Sequence, residues 1–194
     1  MNRVVLLSDG GPESLVASLL LLEDQRSRNT SLGRFTLGCQ IDHSVKPPHF
    51  HSSRRDCIEA HSNLIDSQGV EFMPEGCSLL LILARAIELA GPDGRIFWPV
   101  RCGDDLDFMK RTMETSLDLV RMNTTISGHA GPELMLPLLD LEHIQVAELA
   151  GELDAPIQSG WPCLSSSVTA CGHCLGCQAW ESALTATGVI PGSG

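Results

Sequence analysis

The sequence predicts an α/β protein in which a parallel sheet carries helices on both faces. Short apolar runs of strand length recur along the chain, and most are followed by a longer segment with the pattern or end signals of a helix. The two kinds of segment alternate, and no internal repeat or low-complexity stretch interrupts them. Strands that alternate with helices are joined by crossovers, which make neighbouring strands parallel and place the helices over the sheet.

The predicted strands are short apolar runs bounded by turn residues or polar loops. The first of them is expected to be buried and to lead into a Gly-rich turn. In chain order they are Arg3–Leu7, Phe35–Ile41, Val70–Met73, Arg95–Val100 and Glu133–Leu136.

The predicted helices follow these strands, and three of them have recognisable ends. Pro12 suits the first position of a helix, and Glu13 suits the positive end of its dipole. Gly69 closes the second helix, and Gly91 followed by Pro92 ends the third. The helices are Pro12–Asp24, Ser52–Gln68, Leu79–Ala90, Leu106–Arg121 and Glu142–Leu153, and the segments Gln25–Arg34 and His43–His51 are predicted to be loops.

Length, composition and charge limit the possible classes of protein. The 194 residues suit one domain over residues 1–194, and 43% apolar residues are enough for a core. A net charge of −11 repels phosphate backbones, so we expect no non-specific nucleic-acid binding. A small nucleotide remains possible, because backbone N–H groups at a helix start can hold a phosphate.

No apolar run is long enough to cross a membrane. The runs Leu15–Leu22 and Leu79–Leu83 are far shorter than the about 18 residues required. Asp9 and Glu13 interrupt the amino-terminal apolar stretch, which is unlike a secretory signal. We therefore expect a cytoplasmic protein without a membrane partner. In that compartment, eight cysteines favour metal binding or catalysis over disulfides.

Four cysteines near the carboxyl end have the spacing of a metal site. Two overlapping Cys-x-x-Cys pairs supply three sulfurs, and a cysteine eight residues upstream supplies the fourth ligand of a tetrahedron with bonds of about 2.3 Å. Gly172 and Gly176 permit the positive φ of a tight knuckle. We predict a structural zinc ion, within about residues 160–180, bound by Cys163, Cys171, Cys174 and Cys177.

Other interpretations of this cluster remain open. The thiols could be buried as small apolar groups, or they could hold an iron–sulfur cluster, although the fourth cysteine of a similar ferredoxin run lies downstream. His173 could replace one cysteine or be an exposed turn residue. The remaining cysteines lack partner spacing and are predicted to be buried thiols; they are Cys39, Cys57, Cys77 and Cys102.

The Gly-rich turn after the first strand is a candidate phosphate site. Small residues let the backbone approach a ligand, and a helix start presents unpaired N–H groups and partial positive charge. Such turns also occur without a ligand, and the sequence has neither a dinucleotide fingerprint nor a Walker motif. The candidate nucleotide-binding residues are Ser8, Asp9, Gly10, Gly11, Glu13 and Ser14.

The turn and the cysteines together are similar to motifs of one family. Residues 8–14 resemble the Ser-Gly-Gly-x-Asp-Ser pyrophosphate loop (PP-loop) of the N-type ATP pyrophosphatases. Trp161–Cys163, Cys171–Cys177 and Leu136–Leu141 resemble the W-S-C, C-G-x-C-x-x-C and P-L-x-x-L segments of one branch. That branch is the 7-cyano-7-deazaguanine synthases (QueC/ExsB type) of queuosine biosynthesis, and the chain resembles a short, diverged member of it.

The resemblance implies an adenine-nucleotide α-hydrolase-like fold and an ATP-dependent ligase. ATP with magnesium would adenylate a purine-like carboxylate, and ammonia would then give an amide and finally a nitrile. A homodimer is also implied. Asp104, after the fourth strand, is predicted to meet the substrate or magnesium, or alternatively to be a helix-start acid beside Asp105. A non-catalytic nucleotide- or purine-binding protein and a zinc-stabilised interaction protein are the alternatives.

The turn aligns with the family motif in two ways. Either Asp9 replaces the leading serine and faces the phosphate with a negative charge, or Ser8 keeps that role with one residue inserted. Glu13 replaces the aspartate in both alignments. At an effective dielectric constant of about 20, like charges about 4 Å apart cost about 4 kcal/mol.

Four histidines form a loose group around a predicted loop and the next helix. Surface histidines are the simpler interpretation, and a substrate-contacting role is the alternative because the loop would lie near the same sheet edge. They are His43, His49, His51 and His61.

Overall fold

The computed structural model describes residues 2–30, 32–39, 52–165 and 169–189. Within these residues five strands form one sheet in the order β3-β2-β1-β4-β5, and every neighbouring pair is parallel. The predicted parallel sheet is therefore confirmed, with the first strand at its centre. The strands are β1 (Arg3–Ser8), β2 (Gly33–Gly38), β3 (Val70–Phe72), β4 (Arg95–Phe97) and β5 (Glu133–Met135).

The five predicted helices are present, and a sixth helix begins within the cysteine segment, after Cys174. The first and fourth helices run beyond the predicted ends, to Ser27 and Ser127, while the second stops early at Leu64. The predicted loop His43–His51 lies outside the described residues. The helices are α1 (Pro12–Ser27), α2 (Ser52–Leu64), α3 (Leu79–Ala90), α4 (Leu106–Ser127), α5 (His143–Glu152) and α6 (Leu175–Thr187).

The alternation of side chains along β1 divides the core into two halves. Val5 and Leu7 pack in a cluster that includes apolar residues of α3 and α4. Val4 and Leu6 point the other way, into a cluster with residues of α1, α5 and α6. All four side chains are fully buried, as expected for a central strand covered on both faces. None of the described helices is long and apolar enough to cross a lipid bilayer.

The strand order opens a crevice at the carboxyl ends of β1 and β4. The chain leaves β1 through α1 toward β2, and it returns to β4 through α3 on the opposite face. Such a switch point in a parallel sheet is where ligands bind in open α/β folds. The residues that follow β1 and β4, namely 9–11 and 98–105, therefore border the candidate site.

Candidate functional site

The turn between β1 and α1 requires glycine at its centre. Gly10 has φ +80°, a conformation that side chains with a Cβ rarely adopt. A Cβ at this position would also lie 2.7 Å from the backbone oxygen of Arg54. The turn thus lies close against α2, with no space for a side chain at position 10.

The Asp9 carboxylate folds back into the turn. Its Oδ1 atom accepts hydrogen bonds from the Gly11 N–H and from the Ser14 hydroxyl, both at 2.8 Å. The guanidinium of Arg54 lies 3.7 Å from the other oxygen. A side-chain anion therefore occupies donors at the start of α1 that an external phosphate would otherwise use.

Ser8 is fully buried below the turn and is bonded to a histidine. Its Oγ lies 2.9 Å from Nδ1 of His61, whose Nε2 lies 2.8 Å from the carbonyl oxygen of Ser159. A carbonyl can only accept, so Nε2 carries the proton and Nδ1 accepts from the Ser8 hydroxyl. Ser8 Oγ in turn accepts from the Gly10 N–H at 3.3 Å.

The expectation that His61 lies on the surface was wrong, because its side chain has no exposed area. The other three members of the predicted group, His43, His49 and His51, lie outside the described residues. A sequence signal for the burial of His61 exists in the helical spacing of Cys57, Ile58, His61, Ser62 and Ile65, all of which are buried.

Acid is expected to destabilise the protein through His61. Burial lowers the pKa of this imidazole from 6.5 to about 4, against the opposing effects of Ser159 and Asp9. Because the unfolded chain takes up the proton first, the free energy of unfolding falls as the pH drops from 6.5 to 4, by about 3 kcal/mol from this group. Urea unfolding across this range is expected to show a correspondingly smaller decrease for His61→Asn.

His129→Asn is the matched control, because it removes a histidine from an exposed position. An identical pH dependence for wild type and His61→Asn would show that His61 does not titrate as a buried group.

An arginine that the sequence prediction missed lies at the same sheet edge. Nε of Arg101 is 3.4 Å from Oε1 of Glu13, and its Nη2 is 2.6 Å from Nε2 of His143. Arginine can only donate, so this imidazole nitrogen is unprotonated. Burial and the charge of Arg101 lower the pKa of His143, although Glu13 and Glu142 oppose the shift.

The candidate acid Asp104 is exposed in the loop after β4. The acid at the start of α4 is Asp105, whose side chain accepts the Phe108 N–H at 2.8 Å and caps the helix. Both acids are exposed, and Asp105 rather than Asp104 caps the helix.

The four cysteines predicted to bind metal come together. Their Sγ atoms all lie within 4.8 Å of one another, so they could hold a metal ion. Gly172 has φ +72°, as a knuckle requires. Gly176 instead lies in the first turn of α6, where there is no space for a side chain, because a Cβ would come within 2.2 Å of the Pro162 carbonyl oxygen.

The other candidate residues differ in burial. His173 is an exposed turn residue. Of the other predicted thiols, Cys39, Cys57 and Cys102 are buried and Cys77 is half-buried.

Backbone N–H groups point at the sulfurs. The Cys171 N–H donates to Cys163 at 3.3 Å, and the Leu164 N–H donates to Cys174 at 3.3 Å. Burial raises the pKa of these two thiols, but hydrogen bonds outweigh it, so the pKa of Cys174 is lowered and that of Cys163 falls to about 6. Burial and the neighbouring sulfurs raise the pKa of Cys177 to about 12. Such N–H···S bonds are typical of the surroundings of a thiolate metal site.

The sheet and the cysteine cluster together define a class: an α/β protein with a five-stranded parallel sheet and a carboxyl-terminal cysteine cluster that could bind metal. The family model described as queuosine biosynthesis protein QueC matches residues 105–188, which include α4, α5, α6 and the four cysteines. The resemblance to the QueC branch is therefore confirmed for this part of the chain.

Curated relatives match a shorter stretch of the chain than the family model does. The 7-cyano-7-deazaguanine synthases of Parasynechococcus marenigrum (strain WH8102) and of Synechococcus sp. (strain CC9311) are each 41% identical to it over 61 residues. Each match covers 31% of this chain and 26% of the relative, so it spans about a quarter of the relatives' length.

A solved structure is similar over most of the chain. It is described as the U34-tRNA thiolase NcsA from Methanococcus maripaludis with its [4Fe-4S] cluster. The match has 13% sequence identity and a TM-score of 0.46, and it covers 98% of this chain and 74% of the other.

Proposed function

We propose that this chain is a QueC-like, ATP-utilising enzyme that adenylates a purine-like carboxylate. The observation that carries the proposal is the position of the Gly10–Gly11 turn, which joins the central strand to α1 at the crevice between β1 and β4. The family match over residues 105–188 and the similarity to 7-cyano-7-deazaguanine synthases support a purine-like substrate.

In the proposed reaction, a carboxylate oxygen of the substrate attacks the α-phosphorus of ATP. The bond from that phosphorus to the bridging oxygen breaks, and pyrophosphate leaves. Ammonia then attacks the acyl carbon, releasing AMP and a proton and forming an amide. A second activation by ATP, at the amide oxygen, would yield the nitrile with release of AMP, pyrophosphate and the two amide protons.

The chain's own residues would position these groups and stabilise their charge. The turn from Ser8 to Ser14 would hold the leaving pyrophosphate. Arg101, held by Glu13 and His143 at the same edge, has the charge and rigidity to face a phosphoryl group. Asp104, exposed in the adjacent loop, would meet the substrate or magnesium.

For the metal we propose a structural zinc ion. Four Zn–S bonds of about 2.3 Å place tetrahedral sulfurs about 3.8 Å apart, which agrees with sulfurs that all lie within 4.8 Å. An iron–sulfur cluster interposes further atoms between the thiolates and would hold them more widely spaced. Four protein ligands leave no open position, so the ion would stabilise the fold and take no part in the reaction.

Pyrophosphate release tests the proposed reaction directly. The zinc-loaded chain, with Mg-ATP and ammonium, is expected to release pyrophosphate when a 7-deazapurine carboxylate is added. Without this carboxylate, it is expected to release none. Lack of turnover with every deazapurine carboxylate tested, in a chain with full metal occupancy, would rule out the proposed activity.

A non-catalytic nucleotide- or purine-binding protein is the second candidate. The Asp9 carboxylate favours it, because this group already uses the Gly11 N–H and the Ser14 hydroxyl. Under this alternative, Mg-ATP would raise the melting temperature of the chain without pyrophosphate release, and Gly11→Asp would abolish the shift. A third possibility, a zinc-stabilised interaction protein, would show neither effect.

Asp104→Ala is expected to lower kcat for pyrophosphate release by about 100-fold, the usual scale for a group that acts in the transition state. The matched control is Asp105→Ala, which should cost about 1 kcal/mol of stability through the lost α4 cap and leave kcat nearly unchanged. Steady-state kinetics and urea unfolding of both variants separate the two roles. Equal kcat values for Asp104→Ala and wild type would remove Asp104 from the mechanism.

Use of ammonia, a homodimeric assembly and a cytoplasmic location belong to the same proposal. They follow from the family resemblance and from the composition.

A further inference from the structure

The segment that leads into the cysteine cluster lies against the Gly-rich turn. We call residues Ser159–Cys163 the connecting segment. Within it, the Trp161 N–H donates to the Gly10 carbonyl at 2.7 Å. A Cβ on Gly160 would lie 3.1 Å from Cα of Pro12, so the segment touches the first residue of α1 as well.

His61 makes a second connection between the same two parts. One ring nitrogen binds Ser8 at the start of the turn, and the other binds the carbonyl of Ser159. The imidazole is fully buried, so water cannot readily replace either partner. The turn is thus attached to the connecting segment at Ser8, through His61, and directly at Gly10.

The far end of the connecting segment is fixed by the cysteine cluster. Cys163 belongs to the cluster itself and accepts the N–H of Cys171. Gly176, in α6, packs so closely on the Pro162 carbonyl that a Cβ there would come within 2.2 Å. Closure of the cluster therefore sets the position of the segment that contacts the turn.

We propose that metal binding by the four cysteines orders the turn between β1 and α1, with His61 as the positioning residue that transmits the effect. The proposal goes beyond ATP chemistry, because it concerns the order of the turn whatever ligand the turn takes. If the cluster opens, the connecting segment loses its anchor at Cys163, and the Gly10 carbonyl and His61 lose fixed partners. Linkage requires that a ligand which orders the turn also tightens metal binding.

Hydrogen exchange measured by mass spectrometry tests this coupling without any nucleotide. The full chain would be compared after loading with zinc and after removal of zinc by a chelator. Amides of the turn, Asp9–Gly11, are expected to exchange about ten-fold faster without zinc, the scale of one lost hydrogen bond. Amides of α3, on the opposite face of the sheet, are expected to keep their rates.

Two substitutions of His61 distinguish a broken connection between the cluster and the turn from a general loss of the fold. The oxygen of Asn mimics Nδ1 and can accept from Ser8, but Asn does not reach Ser159; the amide of Gln mimics Nε2 and can donate to Ser159. Each variant breaks the connection at one end, so with zinc bound both are expected to speed exchange in the turn about ten-fold while α3 keeps its rates. Zinc content should be the same in both variants.

Turn amides that exchange equally with and without zinc would overturn the proposal. If removal of zinc also speeds exchange in α3, the comparison of zinc-bound wild type with zinc-bound His61→Asn tests the coupling instead. In that comparison, turn amides of His61→Asn that exchange as slowly as those of wild type would overturn the proposal. Pyrophosphate release is not part of this readout, so failure of the coupling and failure of the proposed reaction are distinguishable.

Discussion

Cys177→Ser is expected to abolish stoichiometric zinc binding and to unfold α6. Cys177 is a cluster member that also lies in this helix, in the turn before the buried Trp180. Structural zinc supplies about 10–16 kcal/mol of apparent binding free energy in zinc-finger peptides, while whole domains are stable by only about 5–15 kcal/mol. Loss of one of four ligands should therefore lower the melting temperature steeply.

Zinc content by elemental analysis and thermal unfolding by circular dichroism measure both effects. Cys77→Ser is the matched control, because Cys77 is half-buried and lies outside the cluster. It is expected to retain one zinc per chain and a melting temperature within a few degrees of wild type, on the scale of about 1 kcal/mol. A Cys177→Ser chain that keeps full zinc and its melting temperature would show that the cysteines are not the ligands.

Asp9→Ser is expected to raise the affinity for Mg-ATP by about ten- to thirty-fold, or about 1–2 kcal/mol. In wild type, a phosphate must displace the Asp9 carboxylate from Gly11 and Ser14 and then remain near its charge. The full repulsion of about 4 kcal/mol at 4 Å is reduced, because the carboxylate is partly exposed and Arg54 lies beside it. Serine removes the charge and leaves both donors for the ligand.

Isothermal titration with Mg-ATP and with pyrophosphate measures this gain. Asp56→Ser removes the same charge from an exposed position on α2, next to Cys57, and controls for a change in net charge alone. It should change the affinity by less than about three-fold. An unchanged or weaker affinity in Asp9→Ser would show that this carboxylate does not compete with phosphate.

The fold could be predicted largely because its signals are local. The apolar run of β1, the glycines after it and Pro12 at the helix start lie within a dozen residues and specify a strand, a turn and a helix in sequence. The sixth helix was missed because Cys174 and Cys177 were considered only as metal ligands. In the structure, Cys174 also caps α6 by accepting the Cys177 N–H.

The candidate site could likewise be predicted only where its signals are local in the sequence. Three cysteines at fixed spacing indicate a shared ion by themselves, and the structure brings their sulfurs and that of Cys163 together. The contacts of Arg101 and His61 gave no such signal, although helical spacing marks His61 as buried, because their partners lie 42 to 98 residues away and meet them only after folding. The inward turn of the Asp9 carboxylate also depends on Arg54, which a tertiary contact places beside it.

X-ray absorption at the zinc edge of the purified chain, together with its elemental composition, tests the central claim most directly. We expect one zinc per chain surrounded by four sulfurs at about 2.3 Å. A chain without stoichiometric zinc, a first shell containing nitrogen or oxygen, or iron with inorganic sulfide in its place would contradict the proposed structural zinc site and weaken the proposed QueC-like function.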